Sequence, residues 1–113
     1  MTALRIVLVA IFATILIYTV QVIAAEGWNL MPVFFGDIAA MRWPGQFNLD
    51  FLCMLTLSAL WLAWRHGFTA TAWLIGLAGL FGGAFFLSGY LLVASRRARD
   101  PIALLLGPVR DPR

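Results

Sequence analysis

Three long apolar stretches with almost no charge inside them constrain what this chain can become. The first runs from Leu4 to Ala25, the second from Phe47 to Trp64 and the third from Phe68 to Ser95. At 1.5 Å of rise per residue they make helices of about 33, 27 and 42 Å, against a hydrocarbon core of about 30 Å. Composition points the same way: 63% of the 113 residues are apolar and 12% are charged, where soluble domains run near roughly 45–50% and about 25%. A soluble protein of this size cannot hide so much apolar surface in one core. The expectation is therefore an all-α membrane protein, a single domain over residues 1–113, with three transmembrane helices at about 4–25, 47–64 and 68–95. A soluble enzyme, a nucleic-acid-binding module and a disulfide-stapled secreted domain are excluded. The third stretch is longer than the core is thick and must tilt or protrude. A cleaved signal peptide competes for the first stretch, with Arg5 as its basic region and Val22-Ile23-Ala24 as its cleavage site. The apolar run is longer than such a peptide needs, so it reads as a retained helix.

The connections carry their own pattern. Between the first two stretches, Met31, Val33, Phe34, Phe35, Ile38 and Met41 interleave with Asp37 and Arg42, which predicts a short interfacial helix over about 32–42 in the first loop. Pro44-Gly45 then turns the chain. Residues 96–113 form a basic and apolar tail, in which Arg96, Arg97 and Arg99 make a collar. The octapeptide from Pro101 to Pro108 is too short to span and is expected to rest on the membrane or on a partner. Trp28 and Trp43 fall at one side of the spans, and Trp61, Trp64 and Trp73 towards the other, as aromatic belts do.

Net charge is +3, from eight arginines and no lysine against five acids. Three crossings put the termini on opposite sides. With the N-terminus inside, the cytoplasm holds only Arg5 and Arg65. The reverse puts Arg42, Arg96, Arg97, Arg99, Arg110 and Arg113 inside, and the positive-inside rule prefers it. The expectation is a multi-pass protein of the bacterial inner membrane, N-terminus outside and C-terminus cytoplasmic.

Few residues offer chemistry. Gln21, Asn48, Asp50 and Tyr90 are expected at one depth, on the side of the first loop, as an intramembrane polar cluster. A carboxylate there needs a partner, and Arg42, Arg96 or Arg97 is in reach on this reading. Asp50 is either an ion or proton site or, the preferred reading, a polar clamp with Asn48 at the start of the second helix. His66 is a headgroup-level residue rather than a haem or chlorophyll ligand, which would lie within the span. Cys53 stands alone in an apolar run and reads as a small packing residue. Metal sites need several converging ligands, and no phosphate-loop, dinucleotide or hydrolase motif occurs. On the third helix Ala72, Gly76, Gly79 and Gly83 share one face, with Gly79 and Gly83 as a GxxxG pair. Such a stripe lets another backbone approach. It serves either a partner or the chain's own helices, with a partner slightly preferred.

From Trp28 to about Ser95, the segment Phe34-Phe35-Gly36-Asp37-Ile38-Ala39-Ala40 followed by Asp50, Ser58 and Trp61 resembles an uncharacterised family of short bacterial membrane proteins built from about three helices. That resemblance implies the fold alone; it brings no assigned activity and carries over no functional residue. The tail after Arg99 lies outside it.

The functional expectation is an accessory, non-catalytic small subunit of a larger bacterial membrane complex of respiratory or photosynthetic type. Its partners would be membrane lipid and other membrane protein subunits, with no nucleic acid. No cofactor of its own is expected, though lipid or pigment fits at the interface with partners. A small oligomeric transporter or channel is the alternative, with the Gln21–Asp50–Tyr90 level as its only polar path. A holin-like pore former is another, although such proteins commonly carry lysine-rich tails. An enzyme comes last.

Overall fold

The computed structural model describes residues 1–112, and every regular element in them is helical. α1 covers Thr2–Glu26, α2 Met31–Ala40, α3 Trp43–Arg65, α4 Ala70–Ser95 and α5 Pro101–Arg110. By length and composition α1, α3 and α4 are each apolar and long enough to cross a membrane. Local chemistry sets the boundaries. Pro32, Pro44 and Pro101 sit in the first turns of α2, α3 and α5, where a missing N–H costs nothing. α3 ends in a Schellman arrangement: Phe68 N–H donates to the Ala63 carbonyl at 2.9 Å, and Gly67 N–H to that of Trp64 at 3.0 Å. Thr69 and Asp100 cap the following helices by accepting from the Ala72 and Ala103 amides at 3.1 and 2.8 Å.

α4 is not one straight rod. Gly83 has φ +57° and ψ −142°, a conformation open only to glycine, and the chain folds back there. A Cβ built on Gly82 would lie 2.5 Å from the Cβ of Phe86, where a continuous helix holds such neighbours about 5–6 Å apart. Register gives the same result. Gly76 lies against Ala59 and Ala63 of α3, so in a straight antiparallel pair Tyr90 would sit about 21 Å further along, towards the start of α3. It is hydrogen-bonded to Arg65 instead, at the far end of that helix.

α4 is thus a helical hairpin with arms 70–82 and 84–95 and its tip at Gly82-Gly83. Each arm rises about 20 Å. The first arm packs on α3 through Ala72, Gly76, Gly79 and Gly83, all buried, with Gly79 over Leu62 and Gly83 over Phe51 and Leu55. The second packs on α1, where Phe85 stacks on Phe12 at 4.6 Å and Gly89 meets the same ring. α2 lies on α3, α5 lies across the ends of α3 and α4, and α1 touches α4 alone.

Two expectations change as a result. The third apolar stretch, expected as one straight helix, is folded back on itself at Gly83. Arg5 and Ser95 are hydrogen-bonded, so the start of α1 and the end of α4 lie at the same end of the molecule. The glycine stripe faces α3 of the same chain rather than an outside partner. The octapeptide of the tail forms α5, which buries Ala103, Leu104 and Gly107 against α3 and α4 while Ile102, Leu105 and Val109 face outward.

The reversal is testable in neutral detergent micelles. Gly83→Ala should cost on the order of 1–3 kcal/mol of unfolding free energy, the usual scale for a side chain forced into such a conformation. Gly36→Ala, where a Cβ meets nothing within 4 Å, should hold or raise stability. In a Cys53→Ala background, His66→Cys with Tyr90→Cys should cross-link through a short bifunctional reagent, since the two rings lie 5.8 Å apart. A straight helix would leave that pair uncoupled.

Candidate functional site

The polar chemistry of the molecule collects where α3 and α4 end. Both helices present their C-terminal carbonyls there, the negative ends of their dipoles, and arginines answer them. Arg5 of α1 donates through Nη2 to the Ser95 carbonyl at 2.7 Å and through Nε to its hydroxyl at 3.1 Å. Arg110 of α5 donates through Nε to the Trp64 carbonyl at 3.1 Å, its guanidinium lying 5.2 Å from the centre of the Trp64 ring.

Arg65 is the centre of this end. Its side chain is only 5% exposed, and Nε donates to the Leu104 carbonyl at 2.9 Å. That carbonyl is free because Gly107 leaves helical geometry, at φ +75°, and Pro108 has no N–H to offer it. Gly107 also makes room for the arginine: a Cβ there would come within 2.7 Å of Arg65 Cγ and 3.0 Å of Cζ. Nη1 donates to the Tyr90 hydroxyl at 2.7 Å, and the Tyr90 hydroxyl in turn meets Nε2 of His66. With the arginine donating to Tyr90, the phenol donates onward to a neutral imidazole. Burial first, and the Arg65 charge second, lower the His66 pKa below its usual 6.5, which keeps that acceptor neutral near pH 7.

A hollow of about 320 Å³ opens beside this triad, lined by Arg65, His66, Tyr90, Val93, Ala94, Arg97 and Pro108. Next to it a second, of about 400 Å³, shares Arg65 and Arg97 and adds Arg99 and Asp111. Arg99 Nη2 faces Asp111 at 3.7 Å. Among the described residues the Arg97 side chain makes no hydrogen bond or ion pair, and no carboxylate pairs with Arg65.

The polar cluster expected from sequence is divided. Tyr90 belongs to this arginine-rich end. Asn48, Asp50 and Gln21 lie towards the other, because the hairpin carries residues 84–95 back from the level of Asp50. Arg96 and Arg97 go with them, so neither pairs with Asp50. α3 begins at Trp43, earlier than expected, so Asn48 and Asp50 sit in its second turn rather than at a cap. Asn48 donates through Nδ2 to the Phe34 carbonyl at 3.2 Å and ties α2 to α3. Asp50 and Gln21 are exposed and make no side-chain hydrogen bond or ion pair among the described residues. Cys53 is exposed, and no group of three potential metal ligands occurs among the described residues. Sequence reasoning used Arg65 only in the count of charges on each side and missed its link to Tyr90. The pair Gly82-Gly83 amid Phe81, Phe85 and Phe86, and Gly107-Pro108 in the tail, were the traces it left. No family model, curated protein or solved structure matches the chain.

Two outcomes follow for stability. Arg65→Lys, with a single donor centre in place of a fork, should leave the Leu104 carbonyl or Tyr90 without its charged donor and cost about 1.5–3 kcal/mol. The pH dependence has a definite sign: below pH 6.5 the unfolded chain binds a proton at His66 that the folded protein resists, so stability falls as pH falls through that range. Melting curves at pH 7.5 and 5.5 should show a smaller drop for His66→Gln than for the unaltered protein.

Proposed function

We propose that the chain is a non-catalytic accessory subunit of a larger bacterial membrane complex, packing against its partners and stabilising them. The observation that carries this reading is the free half of α1. The second arm of α4 supports α1 from Arg5 to about the level of Leu16, and beyond that point no other helix of the chain reaches it. Ile17, Tyr18, Val20 and Val22 are exposed. Gln21 among them has a carboxamide with no hydrogen-bond partner among the described residues, and such a group within a bilayer gains by hydrogen-bonding to another helix. The transporter reading loses its support, since the polar level it required is split between two ends of the molecule.

In the membrane, α1 and α3 cross and α4 enters and leaves on one side. Arms of about 20 Å are shorter than the core of about 30 Å, and irregular backbone at that depth is tolerated where protein covers it, as Phe51 and Leu55 cover Gly83. α2 then lies at the opposite interface. Of the seven arginines among the described residues, Arg5, Arg65, Arg96, Arg97, Arg99 and Arg110 lie at the end where α1 begins and α5 docks, and only Arg42 at the other. Positive charge marks the cytoplasmic side, so both termini are cytoplasmic in this reading.

Purification of the tagged chain in mild detergent should bring down a stoichiometric larger complex, and Gln21→Leu should reduce that yield while leaving the protein inserted and folded. A homo-oligomer alone would overturn the subunit reading. Orientation is read separately, by an impermeant thiol reagent on Cys53→Ala cells. Thr2→Cys and Asp111→Cys should both be protected until the membrane is opened, and Met41→Cys should react from outside.

A further inference from the structure

Arg65 is a nearly buried cation whose hydrogen-bond partners among the described residues are neutral. A guanidinium has five N–H donors, and two of them are used, on the Leu104 carbonyl and the Tyr90 hydroxyl. A buried charge without a counter-charge is costly, and this one borders a hollow of about 320 Å³ that has no acid in its wall. Arg97 stands on the same wall with its own donors unused among the described residues. Val93, Ala94 and Pro108 supply an apolar side. Two arginines lining one hollow, Arg65 buried and Arg97 exposed, suit the tetrahedral oxygens of phosphate, which arginine forks engage by paired charge-assisted hydrogen bonds.

We propose that this hollow binds a phosphate group, with Arg65 and Arg97 as the charged donors and the His66 and Tyr90 side chains completing the polar wall. The phosphate comes either from the headgroup of an anionic phospholipid, whose glycerol would lie on Val93 and Pro108, or from free phosphate. Asp111 does not oppose it, since that carboxylate lines the neighbouring hollow and faces Arg99. The inference is independent of the subunit reading, since it concerns the purified chain alone.

The test uses the full chain in neutral maltoside micelles, with its melting temperature followed as ligand is added. Phosphatidylglycerol should raise it saturably, and diacylglycerol, which lacks the phosphate, should not. Arg97→Gln should weaken the apparent affinity about tenfold or more, as loss of a charge-assisted hydrogen bond does. Arg96→Gln removes the same charge from the next residue, which lines a different hollow beside Arg5, and should stay within about twofold. Saturation by inorganic phosphate as well would assign the site to the bare anion, and saturation by phosphatidylglycerol alone to the lipid; either supports the proposal. An equal response to diacylglycerol, no saturable response to any of the three, or an Arg96→Gln loss matching that of Arg97→Gln would overturn it.

Discussion

The arrangement of this protein depends on one backbone reversal. At Gly83 the chain takes a positive φ that a side chain would oppose, and a stretch long enough to cross a membrane becomes two short arms lying side by side. Everything else at the lower end follows. The second arm carries Tyr90 back to Arg65 and Ser95 back to Arg5, and among the described helices it alone supports α1. Small residues make the hairpin possible as well as sharp, since Gly76 and Gly79 admit Ala59 and Leu62 of α3 at distances a larger residue would block.

Folding back has an electrostatic consequence. It brings the carbonyl ends of α3 and α4 to one place, where partial negative charge accumulates. Arg5, Arg65 and Arg110, from three different helices, each donate to a main-chain carbonyl there. These contacts join α1 to α4, α3 to α5 and α5 back to α3, so these three arginines hold the end together through main-chain carbonyls. The arrangement satisfies carbonyls efficiently but leaves net positive charge, concentrated around Arg65 and Arg97. A phosphate site there would complete the balance that the protein's own acids do not supply.

The opposite end has the reverse character. Beyond the hairpin tip no other helix among the described residues packs on α1, while α2 is tied to α3 through Asn48. Apolar surface facing lipid needs no explanation, but an amide at Gln21 does, and that is why the free half of α1 carries the functional reading. One end of the molecule is thus closed on itself by hydrogen bonds, and the other leaves apolar side chains of α1 exposed.

Much of the helical content was legible in the chain. Apolar runs longer than 17 residues between Pro, Gly and Arg boundaries forecast α1 and α3 to within a few residues, and the interleaved Phe34, Phe35 and Ile38 forecast α2. These depend on local composition, which acts through hydrophobic burial and helix propensity over neighbouring residues. The reversal in α4, the docking of α5 and the union of Arg65 with Tyr90 were not legible. Glycine pairs are common in membrane helices and stay straight in most of them, so Gly82-Gly83 alone could not announce a turn. Only packing against Phe51, Leu55 and Phe12 makes the folded-back form the better one. Sequence determined that the protein is helical and suited to lipid; tertiary structure decided which ends meet, because that choice rests on contacts between residues 25 to 90 positions apart.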